Sequence, residues 1–367
     1  MRPETEADLA EAIAAAKGPL SIQGGGTRGV RLDGDVVQTG GMHGITLYEP
    51  GSLTMVVRAG TPLSEVETAL AAEGQRLAFE PMDHRGLMGT SGAPTIGGVV
   101  AANVSGPRRV SVGACRDFML GVRFVDGAGT VVKNGGRVMK NVTGYDLVKL
   151  MTGSWGTLGV LTEVSLKVLP KPETAACVLI DNLSTPAAID AMAKALSSPF
   201  EVSGAAHIPV GMDDAPVTML RLEGFAGSVA YRAKEVAALF KDCAVRIEDN
   251  AEAVSKGWAW VRDVVPFYDA EGDVWKLSCT PSDAAALADQ AGAQEVIFDW
   301  GGGLIWMRVG TGTDLRKRLG AFDGHATLVR GTGQPKFQPE PAALAVLSAG
   351  LRNKFDPKGI LNAGLMG

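Results

Sequence analysis

Apolar residues recur at helical spacing from about Thr5 onward, with Leu9, Ile13 and Ala16 on one face and Gly18-Pro19 closing the segment. The apolar run Leu20 to Gln23 then predicts a short strand that delivers the chain into Gly24-Gly25-Gly26-Thr27-Arg28-Gly29. A strand at Met55 to Ala59 leads to Thr61-Pro62, which read as the N-cap and first residue of a helix. That helix turns Leu63, Val66 and Leu70 inward and stops at Gly74, giving a βα unit. Strands at Gly121 to Val125 and Thr130 to Lys133 flank the turn Asp126-Gly127-Ala128-Gly129 and predict a hairpin. Val164, Leu166 and Val168 alternate with Ser165 and Lys167, the period of a half-buried strand, up to Pro170.

Pro170 and Pro172 mark a domain boundary, because the texture changes after them. Strands are predicted at Ala176 to Ile180, Val217 to Leu222, Val274 to Ser278 and Leu304 to Val309, with helices near Pro186 to Leu196, Ser228 to Phe240 and Pro281 to Gln290. Interleaved in this way, they predict an antiparallel sheet backed by helices, an α+β cap. A proline-rich stretch (Pro335, Pro339, Pro341) precedes a last helix carrying Leu344, Leu347, Leu351 and Phe355.

With 367 residues, 46% of them hydrophobic, the chain can bury a large core in two or three domains. A net charge of -5 and the absence of any Lys/Arg block argue against nucleic acid as a partner. The charged start (Arg2, Glu4, Glu6, Asp8) does not read as a secretion signal, and no apolar run is long enough for a transmembrane segment. Cys115, Cys177, Cys243 and Cys279 lie far apart with no CxxC pair, so the expectation is buried, reduced thiols in a cytoplasmic protein, without a metal or iron–sulfur site. The 48 glycines are roughly twice the usual share of about 7% and cluster in loops, where they permit positive φ or close approach to a ligand.

The first glycine loop fits GxGxxG, the nicotinamide-binding pattern, but that fingerprint must open a helix. Val30-Arg31-Leu32-Asp33-Gly34-Asp35 has no helical period, so successive backbone N–H groups become the candidate anion donors, as in a nest. Taken alone, the loop fits a tight turn between strands equally well. Two further segments change that balance: Thr95 to Arg109 (TIGGVVAANVSGPRR), rich in small residues, and Trp155-Gly156-Thr157-Leu158-Gly159-Val160-Leu161-Thr162.

Together with SVGACRDFMLG at Ser111 to Gly121, the Arg137 to Pro172 segment and FDPKGILNAG at Phe355 to Gly364, these strings resemble the PCMH-type (vanillyl-alcohol oxidase) flavoprotein superfamily. Within it, the chain is similar to the FAD-binding subunits of bacterial glycolate oxidases. The resemblance covers nearly all of residues 1–172 and the tail, and rests on weaker strings in the cap, Asp299-Trp300-Gly301-Gly302 and Gly324-His325-Ala326-Thr327. It implies an α+β fold: a PCMH-type FAD-binding domain of two α/β subdomains over residues 1–172, a ferredoxin-like cap over 173–340, and a helix and tail over 341–367 returning to the first domain. It also implies FAD held by Gly24, Gly25, Gly26 and Thr27 at the pyrophosphate, with Arg28 and Gly29 completing the loop and Arg28 fitting either phosphate or solvent, by Thr95, Gly97, Gly98, Asn103 and Ser105 along the dinucleotide, and by Gly159, Val160 and Leu161 at the adenine end. Some relatives tether the flavin through a histidine near the first loop; Ile22 to Gly29 contain none, so binding is expected to be non-covalent. Arg116-Asp117 and Asn362 sit in matching segments, the former pair fitting a structural ion pair as well as a site role.

Oxidising a 2-hydroxy acid needs a cation for the carboxylate and a base for the hydroxyl proton beside the flavin. The histidines are His43, His84, His207 and His325, and no two have metal-ligand spacing. His84 and His325 read first as surface or capping residues, Arg108 and Arg109 fit phosphate or carboxylate, and Tyr145 fits a turn anchor. No catalytic residue can be assigned from these. The implied function is therefore an FAD-binding subunit of a complex oxidising glycolate to glyoxylate, inactive alone, passing electrons through a catalytic flavoprotein subunit and an iron–sulfur subunit that could also hold it peripherally at the inner membrane. An independent FAD-dependent D-2-hydroxy-acid dehydrogenase and a structural flavin subunit without turnover are the alternatives, and a nicotinamide dehydrogenase ranks last.

Overall fold

The computed structural model describes residues 1–137, 144–211 and 213–366. Val138 to Thr143, within the glycine-rich Arg137 to Pro172 string, lie outside the described residues. The N-terminal half begins with helix Glu6–Ala15, whose Thr5 caps it in a reciprocal capping box with Asp8 while Leu9 and Ile13 are buried. Strand Leu20–Gln23 pairs in parallel with Asp35–Gln38. The adjoining five-stranded sheet is antiparallel, in the order Ile45–Glu49, Thr54–Arg58, Val160–Lys167, Met119–Val125, Val131–Gly135. Helix Leu63–Ala72 covers it through Leu63, Val66 and Leu70. Its N-cap is Pro62 rather than Thr61, because the Thr61 hydroxyl is engaged elsewhere: it donates to the Arg58 carbonyl (2.8 Å) and accepts from Gly44 N–H (2.9 Å). The hairpin forms as the turn chemistry predicts, with Asp126 Oδ1 accepting from Ala128 and Thr130.

Leu169–Pro170 pairs back with Gln75–Arg76, and the chain then enters the cap at strand Thr174–Asp181. The cap is one eight-stranded antiparallel sheet built from two successive β-α-β-β-α-β units, each ferredoxin-like. The first runs from Thr174–Asp181 to Ala244–Glu248 and the second from Asp273–Cys279 to Gly324–Arg330. They join edge to edge where Gly204–Ile208 meets Glu295–Asp299, with His207 opposite Phe298. Among the described residues of the cap, four strands escape the sequence reading: Gly204–Ile208, Ala244–Glu248, Glu295–Asp299 and Gly324–Arg330. Gly204–Ile208 is buried at every position and has no alternation to detect.

Helices Thr185–Leu196, Ala226–Ala238 and Ala284–Ala291 pack one face of this sheet. The opposite face lies over the N-terminal half. Helix Ala251–Arg262 fills part of that junction, with Val254, Trp258 and Val261 in the same core as Val57, Phe79 and Leu166. The last helix, Ala342–Phe355, has no buried residue and ends with Phe355 against Phe124, ring centroids 6.1 Å apart. The cysteines are all free thiols; Cys115 and Cys177 are buried, whereas Cys243 is exposed, contrary to the expectation from spacing.

Candidate functional site

The three glycine segments, far apart in sequence, meet around one cleft of about 110 Å³ that is partly open to solvent. Gly24, Gly25, Gly26, Thr27 and Arg28 form one wall, Thr95, Gly97 and Gly98 the second, and Gly159, Val160 and Leu161 the third. Gly29 does not line the cleft; it closes the loop by donating to the Gly26 carbonyl (3.4 Å). No helix follows the first loop, as the sequence predicts. Among the described residues, the backbone N–H groups of Gly25, Gly26, Thr27 and Arg28 donate to no protein acceptor. Consecutive free amides facing a cleft are an anion-binding nest.

Close packing of backbones explains the glycines better than contact with a ligand does. A Cβ on Gly25 would run into the Ala93 carbonyl, and one on Gly92 into the Gly25 carbonyl. A side chain at Gly25 would thus displace the loop rather than project into the cleft. Thr95 caps helix Ile96–Ala101 by accepting from Gly98 N–H (3.2 Å). Asn362 clamps the tail onto the cleft: its Oδ1 accepts from Ile22 N–H and its Nδ2 donates to the Trp155 carbonyl, both at 2.7 Å.

Past Arg28, Ala102 and Trp155 the cleft adjoins a second, larger cavity, about 290 Å³, between the N-terminal half and the cap. Asn103 and Ser105 line this second cavity rather than the cleft, and their side chains hold the floor: Asn103 Oδ1 accepts from Arg116 N–H (3.0 Å) and Ser105 Oγ from Cys115 N–H (2.9 Å). The Arg28 Nε is buried without a protein partner between the two spaces, and burial lowers its guanidinium to about 10. Free amides along the cleft and an unpartnered cation at its inner end suit a molecule with an anionic middle and a flat end reaching under the cap.

The cavity gathers chemistry that is scattered in sequence. His84 lines the floor, and Lys276 and His325 come from the cap sheet. Burial, then Arg28, Lys276 and Lys336, push the His84 imidazole well below its ordinary value, so it is neutral at neutral pH. Burial lowers Lys276 to about 8, helped by Arg109, and lowers Lys336 to about 8, helped by Arg28. Burial raises Asp299 to about 7 although it accepts from Trp300 N–H (2.7 Å). The sequence reading missed Lys276, Lys336 and Asp299 as site residues. It also treated Arg108 and Arg109 alike, whereas Arg108 is held by Glu223 (2.9 Å) and Glu80 (3.1 Å) and Arg109 lies on the Trp300 ring, 4.6 Å from its centroid. Arg116 lines the cavity and Asp117 faces Lys149 (3.6 Å), so these neighbours do not form the ion pair that was one reading of them. His43 pairs with Glu65, His207 is buried against Thr218 and Tyr145 is exposed, all away from the cavity. Among the described residues no three His, Cys, Asp or Glu side chains converge as a metal-holding group, and no helix is long and apolar enough to cross a membrane.

A family model described as an FAD binding domain matches residues 1–135. Over 355 residues, 95% of this chain and 93% of the other, the chain is 37% identical to the glycolate oxidase subunit GlcE of Escherichia coli (strain K12). The glycolate oxidase subunit GlcD of Bacillus subtilis (strain 168) is 33% identical over 189 residues, 50% of this chain and 37% of that one. Among solved structures, an alkyldihydroxyacetonephosphate synthase superposes on 99% of this chain and 75% of its own with a TM-score of 0.73; at 15% identity it shows the shared fold alone. Near-complete coverage by one relative, with a matching FAD domain and a PCMH-type fold, leads to a single assignment: this chain is an FAD-dependent flavoprotein belonging to the GlcE family of glycolate oxidase subunits.

Proposed function

We propose that the chain is the FAD-binding subunit of a complex that oxidises glycolate to glyoxylate, and that its electrons leave through a catalytic flavoprotein partner and an iron–sulfur subunit. The observation that carries this reading is the continuity of the two spaces, a cleft of free amides that adjoins a cation-lined cavity beneath the cap. In this reading residues 1–172 hold the dinucleotide, 173–340 form the cap, and 341–367 return to seal the cleft through Asn362. Gly25 to Arg28 bind the pyrophosphate, Thr95, Gly97 and Gly98 flank it, and Gly159 to Leu161 meet the adenine end. Bound FAD supplies the two-electron acceptor. The protein's own part is to orient the dinucleotide, exclude water beneath the cap and hold the charges around it.

In this reading the flavin is held non-covalently, since the first loop, Ile22 to Gly29, contains no histidine. Acid or heat precipitation is expected to release all of the FAD and leave a colourless pellet; a pellet that stays yellow would contradict this. The cysteines have no spacing suited to an iron–sulfur cluster, so reoxidation needs an interface. Sustained reduction of an added quinone by glycolate is therefore expected only when the chain is assembled with its partners, and to disappear when it is omitted. An isolated chain that reduces quinone at the rate of the complex would instead favour the independent dehydrogenase.

A further inference from the structure

Strand Asp273–Cys279 alternates between two environments. Trp275 and Leu277 point into the cap core, whereas Lys276 and Ser278 point the other way, into the cavity above the N-terminal half. Register places Trp306 and Thr327 beside Lys276, and His325 beside Ser278. The Lys276 ammonium stands 5.1 Å from the Trp300 ring centroid and 5.7 Å from that of Trp306. Among the described residues it has no hydrogen-bond or ion-pair partner, and Arg109 shares the Trp300 ring with it. The charged and titratable groups around it are Arg109, Asp299, His84 and His325. Asp299, raised to about 7, is only half ionised at neutral pH and makes no ion pair with Lys276, so it offsets the positive charge of the wall only in part. An enclosed ammonium held only by ring faces is unfavourable unless an anion completes it.

Across the cavity, His84 Nδ1 lies 3.3 Å from the Met82 carbonyl. A carbonyl can only accept, so Nδ1 carries the proton and Nε2 presents its lone pair. No protein donor among the described residues meets that nitrogen. His325 differs: it sits exposed at the rim.

We propose that this subunit carries its own site for a small 2-hydroxy carboxylate, in which Lys276 binds the carboxylate and His84 Nε2 accepts the hydroxyl proton. This deepens the reading above and rests on FAD being bound in the adjoining cleft. With FAD bound in the adjoining cleft, His84 would take the O–H proton as the C2–H bond breaks, the oxidised flavin would supply the acceptor for that hydride, and one 2-oxo acid would form per flavin reduced, His84 returning its proton to solvent. The expectation that the isolated chain cannot attack glycolate rests on a missing base and cation; the structure brings both to one cavity. Partners remain necessary for reoxidation.

The test uses the FAD-loaded chain with oxalate, a two-carbon anion that has no C–H bond to lose. Calorimetry should detect oxalate binding that weakens as pH rises through about 8, where Lys276 and the Lys336 of the same cavity lose their protons. Lys276→Met should weaken it about 10- to 100-fold at unchanged FAD content, and Lys276→Arg should restore most of it. His84→Gln should keep oxalate affinity within about threefold yet slow anaerobic bleaching of the flavin by glycolate at least about 100-fold. Oxalate binding unaffected by Lys276→Met, or bleaching unaffected by His84→Gln, would overturn the assignment. So would a wild-type chain, FAD-loaded and required by the complex, that neither binds oxalate nor bleaches; the subunit reading would then stand without this site. Wild-type protein free of FAD would instead remove the subunit reading itself.

Discussion

Gly25→Asp is expected to strip the protein of flavin while leaving the cap folded. The new Cβ meets the Ala93 carbonyl, and the reciprocal approach of Gly92 to the Gly25 carbonyl leaves neither segment room to yield. The loop must therefore move off the Ala93–Thr95 backbone, taking with it the four free amides of Gly25 to Arg28. A carboxylate in that loop also repels the anion the nest is built to hold. Losing even one charge-assisted hydrogen bond at about 1.5–3 kcal/mol lowers affinity about tenfold or more, so FAD per chain should fall below about a tenth of wild type after gel filtration. Gly26→Ala is the control. Nothing lies within 4 Å of its added Cβ, and only the positive φ of 68° opposes it, a penalty of about 1–2 kcal/mol. It should retain most of its flavin. A Gly25→Asp protein with wild-type circular dichroism and near-stoichiometric FAD would show that the cleft is not the dinucleotide site.

The cleft was legible in the sequence because its chemistry is local: free amides and tight backbone contacts require runs of small residues, and runs are visible. The cavity was not, because its residues come from strands whose exposed and covered faces look alike in a single chain. In Val274-Trp275-Lys276-Leu277-Ser278, alternation reads as core against solvent, and Lys276 falls on the solvent side. The cap sheet has no solvent there, since the N-terminal half covers it. His84 was visible, but its neutral state depends on Arg28, Lys276 and Lys336, which lie 56, 192 and 252 positions away in the chain. Helix Ala251–Arg262 did leave a signal, Val254, Trp258 and Val261 at helical spacing, interrupted by Gly257. Thr61 shows the opposite error: a good capping residue by type, it has its hydroxyl taken by the Arg58 carbonyl three residues back and by the Gly44 N–H from a distant strand end.

Arg221→Ala is expected to destabilise the fold by about 3–5 kcal/mol, the range for removing one partner of a buried ion pair. Arg221 on cap strand Val217–Gly224 donates from Nη1 and Nη2 to the two oxygens of Glu80 in the N-terminal half, at 3.0 and 3.1 Å, and stacks on Trp258 at 4.4 Å. Both side chains are buried, and Arg108 and Arg76 extend the network across the same boundary to Glu223. Burial alone would raise the Glu80 carboxyl, yet Arg221 and Arg108 outweigh it and hold it below the usual range. A depressed carboxyl stabilises the fold above its unfolded value of about 4.3 and loses that contribution as pH falls through the folded value. The difference in urea midpoint between wild type and Arg221→Ala should therefore be largest near neutral pH and shrink as pH drops below about 4. Glu80→Gln combined with Arg221→Met, which removes both charges, should recover part of the loss, because the deficit in the single variant is mostly an acid left buried with less than its full complement of cations. A difference that stays constant from neutral to acid pH would mean that Arg221 acts through its packing on Trp258 alone.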